Sequence, residues 1–206
     1  MIMIVNYGLG NIHAISNIYR RLNIAVEIAD TATALRKAHR IVLPGVGAFD
    51  WAMSCLNDSG MRETLDELVL KQAVPVLGIC VGMQMLANGS EEGTLDGLRW
   101  IEGEVKRFDD TRCIDATHLP HMGWNNVLPR RTKGLFSGMD GTSRFYFLHS
   151  YYFAPSNDDY VLATTDYFGA YASSVHRSHI FGVQFHPEKS HQWGIQLLKN
   201  FATEQC

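Results

Sequence analysis

The sequence predicts an α/β fold with a mostly parallel central sheet, helices on both faces and a smaller antiparallel extension. Three observations carry this prediction. Over the first ninety residues short apolar runs alternate with stretches of helical periodicity, as strands of a doubly covered parallel sheet do. Those runs close in turns rich in Gly and Pro. Beyond residue 100 the runs become aromatic and β-branched and follow one another with little helix between them.

In chain order, Ile2–Val5 is a first buried strand, and a turn holding Gly8 and Gly10 follows it. Ile12, Ile15, Tyr19 and Leu22 then recur at helical spacing. Ile41-Val42-Leu43 is a second strand, closed by Pro44-Gly45-Val46-Gly47, and Met61, Leu65, Leu68 and Val69 mark a helix face. Val74-Pro75-Val76-Leu77-Gly78-Ile79 is a third strand that turns into a helix over residues 81–87. Residues 100–108, 124–128, 145–153, 160–165 and 180–185 read as further strands, some of them antiparallel. Trp193, Leu197, Leu198 and Phe201 mark a final amphipathic helix that packs back on the sheet. No repeat, low-complexity tract or linker interrupts the pattern. One domain over residues 1–206 is expected.

Composition excludes several classes of function. The chain has 206 residues, 46% hydrophobic and 19% charged, with a net charge of −3 and both signs mixed along its length. There is no basic stripe, so no nucleic acid is expected as a partner. No apolar run approaches the ~20 residues that span a bilayer, so no membrane is expected. The N-terminus reads as a strand and lacks a charged leader. The four cysteines, at 55, 80, 113 and 206, form no CxxC pair, and reduced thiols in the cytoplasm are the simplest reading.

The most informative stretch is Gly78-Ile79-Cys80-Val81-Gly82, where a buried strand turns directly into a helix. A sharp turn of this kind needs strained backbone and leaves no room for flanking side chains, which glycine at both sides supplies. It exposes the Cys80 sulfur at a helix N-terminus, where free N–H groups favour the thiolate, and aims the N–H of Val81 at a developing oxyanion. Taken alone, Gly-x-Cys-x-Gly is equally a buried structural cysteine in a tight turn. The second half of the chain supplies a base. After the strand Phe181-Gly182-Val183-Gln184-Phe185 come His186, Pro187 and Glu188; in extended chain, positions two apart project to one side, so Glu188 is expected to orient His186. The remaining histidines suggest no zinc site: His176 and His179 approach ligand spacing but read as flanking a turn, and no metal or cofactor is expected.

Together these two segments resemble the class I (triad) glutamine amidotransferases. Further blocks match in family order: Asn6-Tyr7-Gly8-Leu9-Gly10-Asn11, Leu43-Pro44-Gly45-Val46-Gly47-Ala48-Phe49, Ser90-Glu91-Glu92-Gly93, Pro120-His121-Met122-Gly123-Trp124-Asn125, His149-Ser150-Tyr151-Tyr152 and Leu197-Leu198-Lys199-Asn200-Phe201. Within the family they are most similar to the glutaminase subunits of imidazole glycerol phosphate synthases. The resemblance implies a flavodoxin-like fold and a triad of Cys80, His186 and Glu188. It implies an oxyanion site at Val81 with the Gly45-Val46-Gly47 loop, whose glycines would make a peptide flip cheap. It also implies contacts from Gln84, Glu92, His149, Ser150 and Tyr151 to the amino and carboxylate groups of L-glutamine. Asn11, Trp124 and Lys189 match the face that docks a (β/α)8-barrel synthase subunit as a heterodimer, receiving ammonia to yield imidazole glycerol phosphate and AICAR. Two features depart from the family pattern: Asn6 stands where aspartate is frequent, and residues 109–117 match weakly. Two rival readings share the triad, a paralogue feeding a barrel synthase in nucleotide-sugar biosynthesis and a stand-alone γ-glutamyl hydrolase or peptidase. A non-catalytic regulatory module is disfavoured because the whole triad is present.

Overall fold

The computed structural model describes residues 1–109, 111 and 118–203; Cys113, Cys206 and the weakly matching segment around residues 112–117 lie outside the described residues. In chain order the elements are β1 (Ile2–Val5), α1 (Ile12–Arg21), β2 (Val26–Ala29), α2 (Ala32–Leu35), β3 (Arg40–Gly45), α3 (Phe49–Asp58) and α4 (Arg62–Asp66), which runs on through a wider turn over Glu67–Lys71. Then come β4 (Val76–Cys80), α5 (Val81–Gln84), β5 (Gly89–Ser90), β6 (Gly103–Arg107), β7 (His121–Asn126), β8 (Leu128–Pro129), β9 (Arg144–His149) and β10 (Tyr151–Pro155). The chain closes with β11 (Val161–Asp166), β12 (Ala170–Arg177), β13 (Ile180–Val183) and α6 (His191–Thr203).

Strands β1, β3, β4 and β13 are apolar on both faces, and every residue but Arg40 is buried, so they take the middle of the sheet. The eight-stranded order is β2-β1-β3-β4-β13-β12-β11-β8. The first five strands run parallel, and β12, β11 and β8 continue the sheet antiparallel. Two small sheets lie outside it, β10-β6-β5 and the β7-β9 ribbon. Register brings Gly45 beside Cys80 and Val183 beside Ile79. The C-terminal ends of β3, β4 and β13 therefore meet at one rim, where open α/β sheets form their sites.

Local chemistry sets the covering helices. Helix α1 buries Ile12, Ile15 and Tyr19 on one stripe and places Arg20 and Arg21 in its last turn, where cations meet the negative helix end. Asn23 then turns the chain out at φ 56°, a left-handed conformation that asparagine tolerates. Helix α6 buries Leu197, Leu198 and Phe201. Among the described residues no helix is long and apolar enough to cross a membrane.

Several elements differ from the sequence reading. The helix expected over residues 81–87 is one turn long. The carbonyls of Met85, Leu86 and Ala87 instead accept N–H groups from Leu98, Trp100 and Arg99, which end the helical ladder. The run 145–153 is two strands broken at Ser150, each paired in a different sheet. Strands β2 and β12 and helices α2 and α3 were not expected. β2 is a half-exposed edge strand, and β12 buries Ser173 and Ser174 where apolar residues would have signalled it.

Candidate active site

Cys80 ends β4 with φ 56° and ψ −115°, a strained conformation for a residue with a side chain. The surroundings hold it there. A Cβ at position 82 would stand 2.0 Å from the Leu43 carbonyl oxygen, one at 78 would stand 2.6 Å from the Gly82 oxygen, and one at 45 would stand 2.5 Å from the Gly82 nitrogen. Three glycines thus let the end of β3, the turn and α5 touch backbone to backbone. Gly45 is clamped by this contact, so it is not the free hinge that its sequence context suggested. Gly47, at φ +89° with open space around it, keeps that freedom. The Pro44 carbonyl, just before Gly45, is pinned by the buried Tyr7 hydroxyl at 2.7 Å. Asn6, the departure from the family pattern, donates to Asp30 at 2.5 Å, where an aspartate would repel it.

His186 and Glu188 converge, but not on an extended strand. His186 is the last extended residue, and Pro187–Lys189 form a 3-10 turn with proline at its start, where a fixed φ and a missing N–H are tolerated. The Lys189 N–H closes the turn on the His186 carbonyl at 3.0 Å. His186 Nδ1 meets Glu188 Oε1 at 2.9 Å, and the imidazole shares the pocket with Cys80. Burial disfavours the imidazolium, but the hydrogen bonds and charges of Cys80 and Glu188 outweigh it and raise His186 to about 10. Burial likewise pushes the Glu188 carboxyl up, and its bonds to His186 and Asn11 more than reverse this. Asn11, expected on a docking face, reaches inward and donates from Nδ2 to Glu188 Oε1 at 2.6 Å.

Cys80, His186 and Asn11 line a pocket of about 320 Å³, together with Val46, Gly47, Val81, Gln84, Glu92, His149, Ser150, Tyr151 and Lys189. All five residues expected to contact glutamine therefore reach it, though three are already engaged. Both protons of Gln84 Nε2 are committed, to the Tyr151 carbonyl and to Gln184 Oε1, each at 3.0 Å. Gln84 Oε1 is left for a ligand. His149 uses both ring nitrogens inside the protein: Nδ1 on the Tyr151 carbonyl at 2.7 Å and Nε2 against Tyr171 and His121. It shapes the wall rather than offering nitrogen to a ligand. Glu92 Oε2 accepts the Phe49 N–H at 2.8 Å and so caps α3, whose own N-cap residue, Ala48, cannot. Among the described residues no group of three His, Cys, Asp or Glu side chains is placed to hold a metal ion.

The family model for glutamine amidotransferase class-I matches residues 3–205. The chain belongs to the class I glutamine amidotransferases. A relative from Bdellovibrio bacteriovorus, named imidazole glycerol phosphate synthase subunit HisH, is 55% identical over 98% of this chain and 99% of its own length. A protein of the same name from Leptospira interrogans is 46% identical over 98% of this chain and its full length. Among solved structures, a glutamine amidotransferase from Thermotoga maritima matches with a TM-score of 0.63 at 19% identity, covering 97% of this chain and 81% of that one. That likeness concerns the fold.

In this amidotransferase, three buried residues around the pocket escaped the sequence reading as site residues: Gln184, Tyr171 and His121. Tyr171 and His121 enclose the His149 ring, with each contact between 3.1 and 3.2 Å. Burial holds both imidazoles neutral, His149 at about 3, where the nearby His121 adds to the effect, and His121 at about 4. Their places, His121 and Tyr171 in strands and Gln184 just after one, give no signal in the sequence. The outer face of the β7-β9 ribbon, beside the pocket mouth, carries the pairs Met122–Leu148 and Trp124–Tyr146. Met122 is 65% exposed and Trp124 39%. Lys189 Nζ sits 5.5 Å over the Tyr146 ring, and His191 stacks on Trp124 at 5.1 Å.

Proposed function

We propose that this chain, as one domain over residues 1–206, is the glutaminase subunit of imidazole glycerol phosphate synthase, hydrolysing L-glutamine and passing ammonia to a (β/α)8-barrel partner. The observation that carries the reading is His186, bonded to the Glu188 carboxylate and lining together with Cys80 one pocket sized for a small metabolite. The names and near-complete coverage of the relatives support the pathway.

The chemistry follows from the residues. The Cys80 sulfur attacks the side-chain amide carbon of glutamine, which Gln84 Oε1, Glu92 and the 149–151 wall hold by its amino and carboxylate ends. Negative charge grows on the amide oxygen. The N–H of Val81, which opens α5 and has no acceptor in the helical ladder, receives it together with an N–H from the Val46-Gly47 segment. His186, cationic at neutral pH, gives its proton to the departing nitrogen, and ammonia leaves. Water then attacks the γ-glutamyl thioester with His186 as base, releasing glutamate. Glu188 orients the ring and stabilises its charge throughout.

The ammonia must reach its acceptor unprotonated, so the pocket needs a closed exit. Its mouth lies against the exposed ribbon face: Leu148 belongs to both, and Lys189 reaches from the pocket lining over the Tyr146 ring. Exposed aromatic residues beside a site suit a docking anchor. The test is glutamine turnover by the chain alone and with the histidine-pathway barrel and its ribonucleotide ligand. Stimulation by that pair supports the proposal. Stimulation only by a barrel from sugar biosynthesis would move the chain to another pathway, and full turnover by the isolated chain would end the subunit picture.

A further inference from the structure

Gln184 follows β13 directly and is fully buried, and its neighbour Val183 pairs with Ile79, so it lies beside Cys80 at the rim of the sheet. Its Nε2 stands 3.8 Å from the Cys80 sulfur. The direction of this amide is fixed by elimination. The Tyr151 carbonyl only accepts, so the end of Gln84 that meets it at 3.0 Å is the NH2 group. That same nitrogen lies 3.0 Å from Gln184, which must present its oxygen there. The nitrogen of Gln184 is thereby turned toward the sulfur. His149 Nδ1 shares the Tyr151 carbonyl at 2.7 Å, so the chain of bonds is anchored at a backbone atom and has no alternative orientation.

We infer that Gln184 is a catalytic residue, one that donates an N–H to the Cys80 sulfur and stabilises the thiolate. This deepens the glutaminase reading and rests on Cys80 being its nucleophile. One partner, His186, carries charge and exchanges the proton. The other is a neutral donor that cannot take the proton away, so it favours the anion through every step in which sulfur is the nucleophile or leaving group. The 3.8 Å separation suits a bond to a large, polarisable sulfur atom. One Gln84 proton then acts as a brace: it holds the Gln184 oxygen so that the Gln184 nitrogen faces sulfur.

The test is the rate at which iodoacetamide alkylates Cys80 near neutral pH, followed by intact mass in the full chain. Charge-assisted donors are typically worth enough that loss of this one slows alkylation by about tenfold. Gln184→Met keeps the length without a donor and is expected to show that loss. Gln184→Glu, which sets a competing acid beside the sulfur, is expected to react more slowly still. Equal rates in Gln184→Met and the unaltered chain, with matching circular dichroism and thermal melts, would reduce Gln184 to packing and overturn the inference. Should the variants fail to fold, the unaltered protein still decides: the Gln184 side-chain amide resonances must shift when Cys80 is alkylated, and their constancy overturns the inference. Failure of the glutaminase reading looks different, as glutamine turnover that survives in Cys80→Ala.

Discussion

Replacing Asn11 with alanine separates two roles that its position allows. The Asn11 side chain does not cap α1, so the substitution loses no capping energy. What it removes is the 2.6 Å bond to Glu188 Oε1, the oxygen that also holds His186. The Glu188 side chain is 2% exposed, and its Oε2 is buried without a partner among the described residues. A hydrogen bond to a buried charge is worth about 1.5–3 kcal/mol. Asn11 itself is half-buried, so water replaces part of that, and the lower bound applies: about 1.5 kcal/mol, or roughly tenfold. The Glu188 carboxyl, now held below its ordinary 4.5, would rise. A lowered carboxyl contributes stability above its unfolded value and loses it as pH falls through the folded value, so acid unfolding of the variant begins at higher pH. The assay is glutamine turnover in the reconstituted complex, with Glu188→Gln as second background. If Asn11 acts through Glu188, kcat falls about tenfold in the first background and little further in the second. Equal losses in both backgrounds, with weaker barrel association, would refute the reasoning and return Asn11 to a docking role.

Further outcomes follow from the same geometry. Cys80→Ala should abolish glutamine-dependent synthesis while the complex still uses added ammonium, and a glutamine-mimicking alkylator should label Cys80 and spare Cys55. Gly82→Ala should lower the melting temperature sharply or prevent soluble expression, because its Cβ would lie 2.0 Å from the Leu43 oxygen and backbone cannot yield cheaply. Trp124→Ala should weaken binding to the barrel by ~2 kcal/mol, measured by calorimetry, with little change in thermal stability. Because His186 is raised from 6.5 to about 10, the stability it contributes is complete below the lower value and lost as pH rises through the upper one; urea titrations should show this fall, and His186→Ala should flatten it.

The parts of the fold that sequence revealed are those where burial on both faces writes an unbroken apolar run. β1 matches its expected bounds to the residue, and the expected middle strands Ile41-Val42-Leu43 and Val74-Pro75-Val76-Leu77-Gly78-Ile79 match β3 and β4 within a residue or two. β12 carries no such run because the sheet surrounds Ser173 and Ser174 instead, and a hydroxyl in a strand reads as exposure. β2 alternates weakly at an edge. The one-turn α5 illustrates tertiary override: the sequence 81–87 is helical in pattern, yet residues 98–101 claim its carbonyls. At the site, the nucleophile and base were legible because strained turns demand glycine and proline. Gln184 was not, since one buried glutamine just past a strand gives no periodic or spacing signal, and only its neighbours define what it does.

The placement of β13 has a consequence for how the molecule comes into being. Cys80 leaves the ribosome a hundred residues before His186, yet the two strands that present them are neighbours in the middle of the sheet. Between them the chain must lay down both outlying small sheets and the antiparallel edge. Contacts of such long sequence separation form late, because loop-closure entropy has to be overcome before they return any stability. The nascent chain therefore holds a nucleophile with no base, chemically idle toward amides, until the last strand slots in between β4 and β12. Competence arrives in one step with the closing of the core, and no edge can fray to take the histidine away while leaving the rest of the protein folded.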